Sequence, residues 1–487
     1  MHNTNRKFRW AILLVVMTGV SAIADENTIA RVDEVLAIPA RQDLSALIQQ
    51  PSTTANQQQH DSFALLTDAL ASASFSEAES AAKQMVEQVN VDTMDAASAR
   101  ARALHNLAIA QQFLGSHDSA IQNYTAALDI IAGEDGNLSS SLILPLRGLA
   151  IAHLDKGQPD IAFAKLDRAQ HVSDVNFGPH SFEQLPILNS KMQAYLDNND
   201  QGSALEMLDR MYMLYSRKFS RKSQELLPAL YQKAEIYKKL EMDVQEFRAW
   251  RHILEIKRGQ YAENDTALIE PNIRLAAIRT RELRKYGYRR VTTSSAEKYL
   301  KKALRIAESS PDNNWEVKRD CLLSIADFYT LFDLKARARR YYSAAWDLLS
   351  SNEMSLDART EYFEAPVPLA RPKFDPYANF EYNPNRREID PGEYLVGEIT
   401  VGFTVDDRGR TRDLRIIAAD PPNFSQMEKR VRNAVEEFVY RPRYVEGKAA
   451  AASDQRYRAS YFYVPSEYQA SIAKSANPDR RRRTRNP

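Results

Sequence analysis

The chain has 487 residues, 65 basic and 64 acidic side chains, a formal charge of +1 and one cysteine, Cys321. That balance supplies no positive field for a nucleic-acid backbone, so nucleic acid is not an expected partner. A single cysteine excludes an intramolecular disulfide framework, and the length leaves room for two or three domains.

At the N-terminus, Arg6, Lys7 and Arg9 precede an apolar run, Ala11 to Ala24, that closes on Ala22-Ile23-Ala24. A helix needs about 20 apolar residues to cross a bilayer, and this run is shorter. Basic start, short apolar centre and small residues at the end make a secretory signal peptide over 1–24, with cleavage before Asp25. The expected location is then the periplasm. An uncleaved segment would instead hold the chain at the inner membrane, on its periplasmic side. Residues 25–60 read as an N-terminal segment and polar linker, with Pro51 to Gln59 low in complexity.

Helical repeats follow. Leu107-Ala-Ile-Ala-Gln-Gln-Phe-Leu-Gly115 returns 42 residues later as Leu149-Ala-Ile-Ala-His-Leu-Asp-Lys-Gly157. Five residues after each glycine comes an alanine, Ala120 or Ala162, then Tyr124 or Leu166, then Ala127 or Ala169. The same phase passes through Ala78, Ala204 and Glu246 and, after an eight-residue insertion, through Ala296 and Ala338. Small residues recur at Ala108, Ala150, Ala234 and Ala326, with tyrosines three places on at Tyr195, Tyr237 and Tyr329. The pattern predicts seven helical pairs over 61–350.

These repeats resemble the tetratricopeptide (TPR) family, whose minimal unit is about 34 residues. The resemblance implies a curved solenoid with a concave surface that binds other proteins. Its groove would be lined by the first helix of each unit, here including Asn106, Ile109, Phe113, Arg147, Ile151, Tyr231, Glu235 and Lys238. Their mixed character names no cargo class.

Residues 351–392 carry Pro366, Pro368, Pro372, Pro376, Pro384 and Pro391, and read as a semi-extended, proline-rich linker. Beyond it the periodicity changes. Ile399, Val401, Phe403 and Val405 alternate with polar or small residues, as in a half-buried strand. Asp406-Asp-Arg-Gly409 supplies a turn, and Leu414, Ile416 and Ala418 continue the alternation in a second strand. Ser425-Gln-Met-Glu428 reads as a capping box, opening a helix with Met427, Val431, Val435 and Phe438 on one face. A last strand runs from Arg456 to Val464. The basic end, 467–487 with Arg480 to Arg483 and Arg485, reads as a disordered tail.

Residues 393–466 resemble the TonB C-terminal domain. The marks are Gly397 opening the first strand, Phe403-Thr-Val-Asp406 before Gly409, Tyr440-Arg-Pro442 after the helix, Gly447, and an aromatic last strand. The resemblance implies that the last strand offers its edge to an extended peptide, for instance a motif of an outer-membrane receptor. The residues concerned are Arg456, Tyr457, Arg458, Ala459, Ser460, Tyr461, Phe462 and Tyr463. An ordinary protected edge is the plainer reading of the same strand.

No nucleophile elbow, phosphate loop or dinucleotide fingerprint appears. The eight histidines make neither an HExxH motif nor a pair at helical spacing, so no metal, cofactor or catalytic residue is assigned. Cys321 reads as a buried core thiol, and Trp250 and Tyr342 as packing anchors.

The expected protein is mainly α, a TPR-like helical solenoid with a small C-terminal α+β domain. The expected function is that of a non-enzymatic, periplasmic protein-binding adaptor in envelope transport. An atypical TonB-type energy transducer, anchored in the inner membrane and coupled to an ExbB/ExbD-like proton channel, is the alternative. A third reading makes the C-terminal domain purely structural, a sheet that caps the solenoid or dimerises by edge pairing.

Overall fold

The computed structural model describes residues 44–52, 55–89, 95–286, 293–310, 314–351, 356–372 and 395–476. The signal segment 1–24, residues 373–392 of the linker and the tail arginines 480–485 lie outside the described residues. The chain forms two compact units, one spanning Arg31–Tyr261 and one containing Ala262–Pro487.

The fold is mainly α, a TPR-like helical solenoid followed by a small α+β region. In the first unit, five hairpins pair α1 (Gln57–Ala71) with α2 (Phe75–Glu87), α3 (Ala96–Phe113) with α4 (His117–Asp135), and α5 (Ile143–Asp155) with α6 (Pro159–Phe177). They continue with α7 (Leu185–Asp197) and α8 (Gln201–Lys218), then α9 (Leu227–Lys239) and α10 (Asp243–Arg258). In the second unit, α11 (Ile269–Tyr286) pairs with α12 (Thr293–Ser309), and α13 (Trp315–Leu331) with α14 (Lys335–Ser350).

The 42-residue phase marks the second helix of each hairpin. Ala78, Ala120, Ala162, Ala204, Ala296 and Ala338 are all buried there, where a larger side chain would hold the partner helix away. Glu246 occupies the same place in α10 and is buried too. Trp250 and Tyr342, at equivalent positions of α10 and α14, are also buried.

The turns between paired helices share a feature that composition conceals. Ala73, Gly115, Gly157, Asn199 and Glu241, successive steps of 42, all have positive φ, between 56° and 74°, and Asp333 in the second unit has 58°. Only two of the six positions carry glycine. An L-residue in this left-handed region is strained by about 1–2 kcal/mol. Ala73→Gly is therefore expected to stabilise the first hairpin by about 0.5–1 kcal/mol, after the larger unfolded-state entropy of glycine is set against the relieved strain. Urea unfolding measures it, and an unchanged midpoint would count against strain at this turn.

Three local expectations are corrected. The polar stretch before the repeats is not all linker: Asn56 Oδ1 accepts from the Gln59 amide and Gln59 Oε1 from the Asn56 amide, so an Asn-x-x-Gln capping box starts α1 at Gln57. The proline-rich linker begins with a helix, α15 (Leu356–Phe363), because its prolines start only at Pro366. It continues as a strand, β1 (Val367–Ala370). The C-terminal tail also begins as helix, α17 (Pro465–Ala476), held by Tyr468, whose hydroxyl donates to the Pro422 carbonyl at 2.9 Å.

In the α+β region, β2 (Leu395–Val405) lies between β3 (Thr411–Asp420) and β7 (Ala452–Tyr463), antiparallel to both. The helix α16 (Ser425–Glu436) covers one face. Ile399, Val401, Phe403 and Val405 meet Met427, Val431, Val435 and Phe438 in a core closed by Ala459, Tyr461 and Tyr463. The alternation fails in β3, where a bulge opposite Thr400 and Val401 turns Ala418 outward and leaves Ala419 against the core. Ser425 is not a cap. It is the first helical residue, with Phe424 at the N-cap position and no side-chain cap bond.

Three short strands complete the region: β4 (Val439–Arg441), β5 (Arg443–Val445) and β6 (Lys448–Ala450). β4 pairs with β1, and β5 with β6. The region is not a free module within its unit. Arg441 and Asp327 of α13 form a buried ion pair, Nε to Oδ1 at 3.0 Å and Nη2 to Oδ2 at 2.7 Å. Tyr342 of α14 donates to the same carboxylate at 2.7 Å. Tyr342, Trp346, Phe363 and Tyr444 pack as an aromatic cluster around this joint, with ring centroids 5.0–6.3 Å apart.

Candidate peptide-binding sites

Two places have the geometry to hold a peptide. The first is β7, twelve residues long and paired, among the described residues, with β2 only. From Arg456 to Tyr463 its side chains alternate, after an irregularity at Ala452–Gln455. Tyr457, Ala459, Tyr461 and Tyr463 point to the core, while Arg456, Arg458 and Ser460 are exposed and Phe462 is half-buried on the opposite face.

Gly397 explains one mark of the strand pattern. It pairs with Tyr461, and a Cβ at Gly397 would come within 2.5 Å of the Tyr461 ring. The glycine is what lets the ring lie across β2. Gly409, at φ +78°, lets the β2–β3 turn close onto β4, where the Tyr440 amide donates to its carbonyl at 2.8 Å. On the outer face Arg458 pairs with Glu398, and Arg415 with Asp454 at 3.3 Å.

The second place is on the first helices of the repeats, α3, α5 and α9. The residues expected to line a groove fall there into three kinds. Ile109 and Ile151 are buried in the repeat core, and Phe113 is part-buried, stacked on Phe75 with centroids 5.2 Å apart. Glu235 and Lys238 of α9 are exposed and lie 3.8 Å apart, and Tyr231 packs edge-on to Trp250. Asn106 is hydrogen-bonded to a segment before the repeats, and Arg147 borders a cavity with the same segment.

That segment is Leu44–Ser52, part of the stretch read as linker. A single 3₁₀ turn, Leu44–Leu47, packs against α3 and α5 and leads into irregular chain. Leu44 and Leu47 are 5% and 1% exposed and join the apolar cluster of Ala101, Leu104, Leu142 and Leu146. The Gln49 amide donates to Asn106 Oδ1 at 2.9 Å, and Asn106 Nδ2 donates to the Gln49 carbonyl at 2.7 Å. His105 Nε2 lies 2.8 Å from the Leu47 carbonyl, which can only accept, so the proton is on Nε2. Ser52 Oγ donates to Asp95 at 2.6 Å.

Burial holds the His105 imidazole down to about 4, far below its usual range, and leaves Nδ1 without a hydrogen-bond partner. Beyond Gln49 the face opens into a cavity of about 450 Å³, bordered by Arg102, Arg147, Asp135 and Glu183. Burial lowers Arg147 to about 10, and Ser190 Oγ stands 3.4 Å from its guanidinium.

Leu44, Leu47 and His105 escaped the reading of the sequence. The signal available was two leucines three residues apart, ahead of a polar stretch.

Among the described residues, no group of three His, Cys, Asp or Glu side chains could hold a metal ion, and no helix is long and apolar enough to cross a membrane. Cys321 is buried, and burial pushes its thiol well above the ordinary range, away from the thiolate a nucleophile needs.

No family model matches the sequence, and no curated protein matches it. Solved structures do. A putative kinesin light chain from Podosopora anserina with nearly identical TPR-like repeats shares 18% identity, covers 44% of this chain and 97% of its own, and has a TM-score of 0.34. The C-terminal part of a TPR repeat-containing protein from Cytophaga hutchinsonii shares 12% identity over 61% of this chain and 98% of its own, with a TM-score of 0.38. The apo form of the quorum sensor NprR from B. thuringiensis shares 12% identity over 68% of this chain and 91% of its own, with a TM-score of 0.30.

Proposed function

We propose that this chain is a non-enzymatic protein-binding adaptor of the periplasm. In this reading the helical repeats recruit one protein, and the C-terminal sheet takes an extended peptide from another by strand addition along β7. The observation that carries it is the strand order β3–β2–β7, which leaves a long antiparallel strand with one edge unpaired among the described residues. Main-chain amides and carbonyls on such an edge give affinity for any extended chain, and pockets for alternate side chains give selectivity. The resemblance of residues 393–466 to the TonB C-terminal domain supports an envelope setting, with an outer-membrane receptor or envelope complex as partner.

The test must leave the core alone. Tyr457, Ala459 and Tyr461 face α16, so charges there would unfold the sheet. Arg458→Pro removes one backbone donor from β7 at an exposed position, and Ser460→Lys leaves the backbone intact. A panel of synthetic extended peptides from outer-membrane receptors, titrated onto the full chain, is expected to include a binder whose affinity falls at least ten-fold in Arg458→Pro and little in Ser460→Lys. Equal affinity in wild type and Arg458→Pro, with the sheet still folded, would overturn strand addition at this edge.

A further inference from the structure

We propose that Leu44–Ser52 is a built-in occupant of the groove formed by α3 and α5, and that the groove's partner is a peptide carrying two leucines three residues apart. This deepens the solenoid half of the proposed function and rests on it, while owing nothing to β7.

The contacts are those of a ligand site. A side-chain amide that satisfies both the N–H and the C=O of one residue reads main chain, not side chain, and Asn106 does this to Gln49. His105, the adjacent residue, donates to the main chain two residues earlier, at Leu47. Both side chains are fully buried, and both direct their hydrogen bonds at this segment. Sequence selectivity falls to Leu44 and Leu47, whose side chains fill apolar sockets between the two helices.

A groove lined this way accepts any chain that presents leucines at the same interval and a free main-chain N–H and C=O two positions after the second. The cis segment holds it at a high effective concentration, so a partner must compete. The cavity beyond Gln49 leaves room for a longer peptide than the resident segment.

The probe is a fluorescein-labelled synthetic peptide of residues 41–54, followed by anisotropy with the full chain. Wild type is expected to bind it weakly, because its own segment fills the groove. The variant Leu44→Glu with Leu47→Glu, which cannot seat its own segment, should bind at least 100-fold tighter. Adding Asn106→Ala to that variant should cost at least ten-fold, and a peptide with both leucines replaced by alanine should not bind.

An opened variant of native helicity that binds no more peptide than wild type overturns the proposal and makes the segment an ordinary part of the repeat core. Should the glutamates unfold the first unit, a protease site placed between Thr53 and Thr54 gives a second route. The cut chain should exchange its own fragment for labelled peptide, and a cut chain that never takes up label overturns the proposal as well. Either failure leaves the β7 experiment untouched, so the two readings fall separately.

Discussion

Asp327→Ala should destabilise the unit containing Ala262–Pro487 by about 3–5 kcal/mol, the usual cost of leaving one member of a buried ion pair without its partner. The carboxylate holds Arg441 through two short contacts and accepts from the Tyr342 hydroxyl as well. Alanine would strand a fully desolvated guanidinium beneath the aromatic cluster. The loss should appear in urea unfolding of the full chain, with hydrogen exchange localising it to β1 and β4. Asp327→Leu combined with Arg441→Met should recover most of it, since an apolar pair of similar volume needs no compensating charge. A cost below about 1 kcal/mol for Asp327→Ala would mean that the pair is solvated and does not hold the sheet to the last hairpin.

The second large effect is on acidification. His105 has its folded-state value near 4 against about 6.5 when unfolded, so the folded state resists protonation. Its contribution is complete above pH 6.5 and is lost as the pH falls from there toward 4. At pH 5 the loss amounts to about 2 kcal/mol.

The cause is local. Nε2–H already serves the Leu47 carbonyl, so the added proton would sit on Nδ1, buried without an acceptor and near the charge of Arg147. Unfolding free energies measured at pH 7.5 and pH 5 should therefore fall about 2 kcal/mol further in wild type than in His105→Gln, whose amide can still donate to Leu47. Parallel profiles for the two proteins would show that His105 is hydrated in the native state.

The β7 edge was legible at the level of strand and face. Alternation in Ile399 to Val405 and in Tyr457 to Tyr463 depends only on the two-residue period of a strand, which any sheet preserves. The bulge that displaces Ala418 was not legible, because a one-residue shift is set by the partner strand. The groove was legible less well. Position along α3 identified Asn106 as first-helix lining, but Ile109 and Ile151 share that spacing and face the core. Helical periodicity gives a face its angle and says nothing of which neighbour covers it.

What the sequence by itself determined is therefore the local and periodic part: the 42-residue beat of buried alanines, the hairpin count, and the change from helical to strand period near residue 395. Each follows from contacts between residues close along the chain, or repeated at a fixed interval. Tertiary structure alone decided that Arg441 is spent on Asp327, 114 residues away, and that Asn106 grips Gln49, 57 residues before it. Both pairs are single long-range contacts with no period to betray them. A buried polar group must find a partner, but nothing in its neighbours along the chain says where that partner will be.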